Sequence, residues 1–187
     1  ARSWLTAETL VGNVGGTVVR DWRLGERSYG ALSGYRKSEV AERYGHDLFL
    51  HWRRSLHGRP DPLPEATVRL WRSLPPFADL PPEALAPTES LADVVERVRP
   101  LCAGELGAAL RSGEHVLVAG HGNSLRALCA IIDGLSEDEL RALNLPNARP
   151  LLYEFDPGLR PLRRGGRYLD PRAAAEEAAA IAAQGGT

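Results

Sequence analysis

The chain has 187 residues, enough for one domain with a real hydrophobic core and a sizeable insertion. Apolar residues make up 43% and charged residues 25%, and the formal net charge of -1 argues against a surface given over to nucleic acid or membrane. No stretch approaches the roughly 18 apolar residues needed to span a bilayer, the start "ARSWLTAETL" shows no secretory leader, and Cys102 and Cys129 are isolated thiols, so the expectation is a cytoplasmic protein.

Residues 2 to 14 read as the end of a helix, with Trp4, Leu5, Leu10 and Val11 at helical spacing. "TVVRDW", 17 to 22, is a β-branched run suited to a strand. Residues 23 to 35 hold three glycines and many reactive side chains, which predicts a loop. "KSEVAERYGHDLFLHWRRSL" reads as two helical pieces broken at Gly45. The proline-rich stretch 58 to 89 is expected to be a surface insertion within the domain, because "LPEATVRLWRSL" inside it is still amphipathic.

Ser90 is a candidate N-cap for a long helix with apolar residues at 91, 94, 95, 98 and 101, bent near Pro100. "HVLVAG", 115 to 120, has the apolar character of a strand buried in a parallel sheet. Asn123 or Ser124 would cap the next helix, "SLRALCAIIDGL", and "PLLYEFD", 150 to 156, reads as another strand. "DPRAAAEEAAAIAAQ" completes the chain as a helix with Pro171 in its first turn. Alternation of helix and strand predicts an α/β class with a largely parallel sheet and a single domain over 1–187.

Two clusters carry candidate chemistry. His121 sits between glycines where a strand hands over to a helix, a place where backbone N–H groups and the helix dipole favour anions. "GHGNSL" does not fit a serine-hydrolase elbow, and His46, His51, His57 and His115 lack ligand spacing, so no metal site is expected. The second cluster is "LGERSYG", with Glu26, Arg27 and Tyr29, followed by Lys37, the only lysine, and by Arg53-Arg54. Several cations with one acid and one histidine suit a small, multiply anionic substrate, because guanidinium forks match phosphate and carboxylate oxygens.

"WRLGERSYGALSGYRKSEVAERYG", "HWRRSL", "TESLADVVERV" and "AGHGNSLRAL" resemble the 2,3-bisphosphoglycerate-dependent phosphoglycerate mutases of the histidine phosphatase superfamily, from about Arg2 to Gln184. The resemblance implies a three-layer α/β fold, a mostly parallel sheet between helices. It implies interconversion of 3-phosphoglycerate and 2-phosphoglycerate in glycolysis and gluconeogenesis through a phosphohistidine, with 2,3-bisphosphoglycerate as phosphoryl donor and no metal. By position, Glu26 resembles the general acid/base and His121 the second active-site histidine. Arg2 resembles the arginine that binds the transferred phosphoryl, and Arg27, Tyr29, Lys37, Arg53, Arg54, Gly122 and Asn123 match substrate-contacting positions.

The family's nucleophilic histidine belongs to an Arg-His-Gly motif on the first strand, upstream of this sequence, so the domain is expected to be N-terminally incomplete as given. The alternatives are a phosphomonoester phosphatase of the same superfamily and a non-catalytic phosphate-ester binder. Gly25 stands where the family usually has Asn, and Asn147, Ala148 and Arg149 replace a usual Pro-Thr-Gly segment. The implied partner is a small phosphorylated carboxylic acid, with no nucleic acid or membrane, and a homo-oligomer is admitted because related mutases are often dimers or tetramers.

Overall fold

Leu91, Val94, Val98 and Leu101 recur on one helical face, and their burial against a second helix organises the larger core. In the computed structural model, which describes residues 2–75 and 77–183, that first helix is α5 (Leu91–Leu101) and its partner is α7 (Gly122–Asp133). Leu91, Val94 and Val98 meet Ala127, Leu128 and Ala130, with Leu140 of α8 (Glu137–Ala142) closing the cluster. Ser90 starts α5 as predicted: its Oγ accepts from the Asp93 N–H at 3.3 Å, and the Asp93 carboxylate accepts the Ser90 N–H at 2.6 Å. Pro100 has no N–H for the regular ladder. Past it the backbone widens into a π-helical turn, Cys102–Leu106, before α6 (Gly107–Arg111) resumes the α-helix.

The N-terminal half is also helical. α1 (Arg2–Val14) buries none of its residues and is joined to the following segment through Arg20, which pairs with Glu8 at 2.6 Å and stacks over Trp4. α2 (Lys37–Tyr44) and α3 (His46–Arg54) meet at Gly45, whose φ of 84° turns the chain as the sequence predicts. Between them they bury Val40 and Phe49 with Leu32 as a second, smaller core. In the proline-rich stretch, α4 (Glu65–Arg72) forms the expected amphipathic helix, and the segment is anchored at its ends by Leu63 N–H to Pro87 O at 2.9 Å and Thr88 Oγ1 to Pro60 O at 2.8 Å. α9 (Pro171–Ala183) is the C-terminal helix; Gln184, its expected last residue, lies outside the described residues.

The strand expectations fare differently. Residues 17–21 and 114–121 run without helix, but no ladder forms on them among the described residues. Trp22–Leu24 closes the first segment as a 3-10 turn. Neither segment joins a parallel ladder among the described residues, and Val19 at 83% and Leu117 at 63% exposure lie open. The sheet that does form is two-stranded and antiparallel, pairing β1 (Leu151–Leu152) with β2 (Arg167–Tyr168) in the register Leu151–Tyr168 and Leu152–Arg167. Only the first part of 150–156 pairs in this way, with an isolated bridge from Phe155 to Pro161.

Candidate active site

The site is assembled where the loop 22–32 crosses the N-terminus of α7. Two 3-10 turns, Trp22–Leu24 and Gly30–Leu32, bracket Glu26 to Tyr29. At Gly30, φ is +54° and a Cβ would lie 2.0 Å from the Asp61 carbonyl oxygen, so only glycine lets the loop approach the proline-rich stretch this closely. Arg97 of α5 clamps the loop from beneath. Its guanidinium donates to the carbonyls of Arg23 and, at 2.9 Å, Gly25, and to Glu89 Oε1 at 2.7 Å. Glu89 in turn accepts the Ser28 N–H at 2.8 Å, so a buried ion pair fixes the loop's backbone.

Glu26 and His121 face each other across this junction. Glu26 Oε2 lies 3.5 Å from His121 Nδ1, with the histidine side chain 17% and the carboxylate 43% exposed. Glu26 Oε1 accepts the Arg27 N–H at 2.9 Å and the Asn123 Nδ2 at 3.2 Å. The same Asn123 amide donates to the Tyr29 hydroxyl at 3.0 Å. The helix begins differently from the expectation: His121, with φ -87° and ψ 156°, is the N-cap of α7, and its side chain makes no capping bond. Asn123 and Ser124, the expected caps, are occupied elsewhere. Asn123 reaches Glu26 and Tyr29, while the Ser124 hydroxyl donates to the Gly25 carbonyl. The His121 side chain is left facing the loop, and Gly122 is the first residue of the helix beside it.

Cations gather around this junction. Arg53 of α3 packs its guanidinium 5.5 Å from the Phe49 ring centroid and 6.0 Å from that of Tyr29. Its charge, after burial, helps pull the Lys37 ammonium and the Arg54 guanidinium below their ordinary values. Arg54 donates to Asn144 Oδ1 at 3.0 Å. Like charges held this close raise each other's energy, and a multiply charged anion among them would relieve it.

Two of the residues picked out from the sequence stand apart. Arg27 is 2% exposed, and its guanidinium donates to three carbonyls: Glu89 at 2.8 Å, Trp52 at 2.8 Å and Gly58 at 2.6 Å. It ties three segments together beneath the site, and desolvation lowers its pKa. Arg2 is exposed at the start of α1, and among the described residues it makes none of the contacts that join the Glu26–His121 cluster. In the departing segment, Arg149 pairs with Glu177 of α9, and Ala148 has a φ of 53°. No group of three or more His, Cys, Asp or Glu is arranged to hold a metal ion among the described residues.

Sequence reasoning overlooked Glu89, Arg97 and Arg126. Arg126 is fully buried on α7, with Nη2 to the Leu140 carbonyl at 2.6 Å and Nη1 to Asn123 Oδ1 at 3.3 Å. A signal existed: 126 falls between 123 and 130 on the helix face that faces inward, where an arginine is out of place unless it has partners.

Comparison with known proteins matches residues 1–165 to the histidine phosphatase superfamily, branch 1. The chain belongs to this superfamily, in the phosphoglycerate mutase family. A 2,3-bisphosphoglycerate-dependent phosphoglycerate mutase of Cutibacterium acnes is 48% identical over 168 residues, covering 90% of this chain and 68% of that protein. The protein of the same name from Rhodococcus jostii is 47% identical over 169 residues, covering 90% of this chain and 66% of the relative. This chain thus spans about two thirds of the length of the curated relatives it matches. A solved mycobacterial glucosyl-3-phosphoglycerate phosphatase aligns with TM-score 0.58 at 22% identity, covering 89% of this chain and 70% of that one. It shows that the fold is the α/β fold of the superfamily.

Proposed function

We propose that the complete protein is a 2,3-bisphosphoglycerate-dependent phosphoglycerate mutase, an isomerase of glycolysis and gluconeogenesis acting in the cytoplasm. The observation that carries this is the facing pair Glu26 and His121 at the N-terminus of α7, with Tyr29 and Asn123 beside them and Lys37, Arg53 and Arg54 gathered around. The relatives named as mutases, at about half identity, support it. Residues 1–187 are read as part of one domain, with 58–89 as an insertion in it.

In this reading the phosphoryl group is carried by the histidine of an Arg-His-Gly segment upstream of the sequence. His121 and the N–H groups at the start of α7 receive the phosphoryl oxygens, where the helix dipole favours negative charge. Glu26 moves the proton of the substrate hydroxyl, and Asn123, which also donates to Tyr29, holds its carboxylate in place. Lys37, Arg53 and Arg54 hold the carboxylate and the second phosphate. The same cations fit 2,3-bisphosphoglycerate, which when bound supplies the priming phosphoryl group. Arg27 serves the site through the loop, and Arg2 would have to reach it by a movement of α1.

The full-length protein, incubated with 3-phosphoglycerate and a trace of 2,3-bisphosphoglycerate, is expected to form 2-phosphoglycerate. A well-folded protein that forms none refutes the reading. Release of inorganic phosphate faster than isomerisation would replace it with phosphatase activity, and reading the coding sequence upstream tests the assigned nucleophile.

A further inference from the structure

Arg126 is the most deeply buried cation of the molecule that touches the site, and the proposed chemistry does not use it. A guanidinium has only donors, so the Asn123 atom that faces it must be the carboxamide oxygen. The amide nitrogen is then turned the other way, with two N–H donors. They are directed at Glu26 Oε1, 3.2 Å away, and at the Tyr29 hydroxyl oxygen, 3.0 Å away.

Both recipients are constrained in consequence. Glu26 Oε1 already accepts the Arg27 N–H at 2.9 Å, and with the Asn123 N–H it takes two donors. A proton held by this carboxyl belongs on Oε2, the oxygen facing His121 Nδ1 at 3.5 Å. The Tyr29 oxygen accepts from Asn123, so its own proton is available to an anion. Were the carboxamide reversed, its oxygen would face both groups and take those protons instead.

We propose that Arg126 is a positioning residue that fixes the Asn123 carboxamide, and so leaves Glu26 Oε2 and the Tyr29 hydroxyl as the two groups that give protons toward the substrate. The Leu140 carbonyl, 2.6 Å from Nη2, holds the other arm of the guanidinium, so the fork cannot swing away. The proposal deepens the mutase reading and rests on it for its kinetic consequence, but the amide orientation stands independently of substrate.

The test is a pair of double-mutant cycles on the full-length protein. Arg126→Lys keeps the charge but cannot serve Asn123 and Leu140 together, and should lower kcat/KM about tenfold. In the Asn123→Ala background it should lower it little further, because the residue it acts through is gone. Equal losses in both backgrounds mean a structural role only and overturn the proposal. Where Arg126→Lys does not fold, Asn123→Asp provides the second cycle: an acid accepts from Arg126 but gives nothing to Tyr29. Tyr29→Phe should then raise KM in the wild-type background and leave it unchanged beside Asn123→Asp; equal effects in both overturn the proposal. Nuclear Overhauser contacts in the wild-type protein need no turnover. Contacts from both Asn123 amide protons to the Tyr29 ring support the proposal even if 3-phosphoglycerate is not a substrate, whereas contacts to the Arg126 guanidinium refute it.

Discussion

Single residues at this site divide by what their polar atoms can still do. Glu26 is solvent-facing on one side and has Oε2 toward His121, so Glu26→Gln preserves shape and removes the proton carrier. General acid–base catalysis contributes about 10²–10⁴-fold, and a fall in mutase turnover of that order with little change in KM is expected from steady-state kinetics. Near-normal turnover would show the carboxylate to be merely a partner of Asn123. Arg27 behaves oppositely, since its donors are spent on three carbonyls in the interior. Arg27→Ala leaves those acceptors buried at about 1–3 kcal/mol each, so a denaturant titration should show at least about 3 kcal/mol lost. Nothing in "GERSYG" distinguishes the two charges, because the difference lies in carbonyls 25 and more residues away along the chain. Their types were legible in the sequence; their environments were not.

At the scale of elements, helices were legible because their signals are local. Apolar spacing in 91–101, the Ser90 box and the Gly45 break are contained within a few residues of each other. The α7 cap was misplaced because Asn123 and Ser124 have the right chemistry for a cap but take long-range partners instead. The sheet was less legible still, since a strand is completed only by a neighbour. Buried pairing decides how firmly the loop sits on α5. Glu89 and Arg97 are 8% and 11% exposed, and Glu89→Ala would leave Arg97 buried without its carboxylate, a loss of about 3–5 kcal/mol in chemical denaturation. Burial also pushes the Cys129 thiol of α7 up from 9.0 to about 11. A raised thiol pKa means that the folded state keeps a proton the unfolded state gives up. Its stabilising contribution is whole below pH 9.0 and is lost as pH rises toward about 11. Urea midpoints of the parent should therefore fall more steeply than those of Cys129→Ala between these pH values, and parallel curves would show that this thiol is not responsible.

Across the whole molecule, the two cores lie on helices; Val118 packs against the larger one, while Val19, Val116 and Leu117 of the extended segments stay exposed. Val19 is 83% and Leu117 63% exposed, Val116 adds a further 38%, and none of these segments has a ladder partner among the described residues. Backbone N–H and C=O groups along such a segment present an edge to any other extended chain, and the apolar side chains beside it add a driving force for association. The exposure ends before the site, since residues 118–121, which lead into α7, are partly buried. The 187-residue chain on its own should therefore self-associate with increasing concentration, as measured by sedimentation velocity. Leu117→Lys places a charge on the open segment and touches neither helical core, so it should return the chain toward monomer while leaving its helical circular dichroism unchanged. If the chain is monomeric at all concentrations, or if Leu117→Lys associates as strongly as the parent, the exposed segment is not what brings copies together.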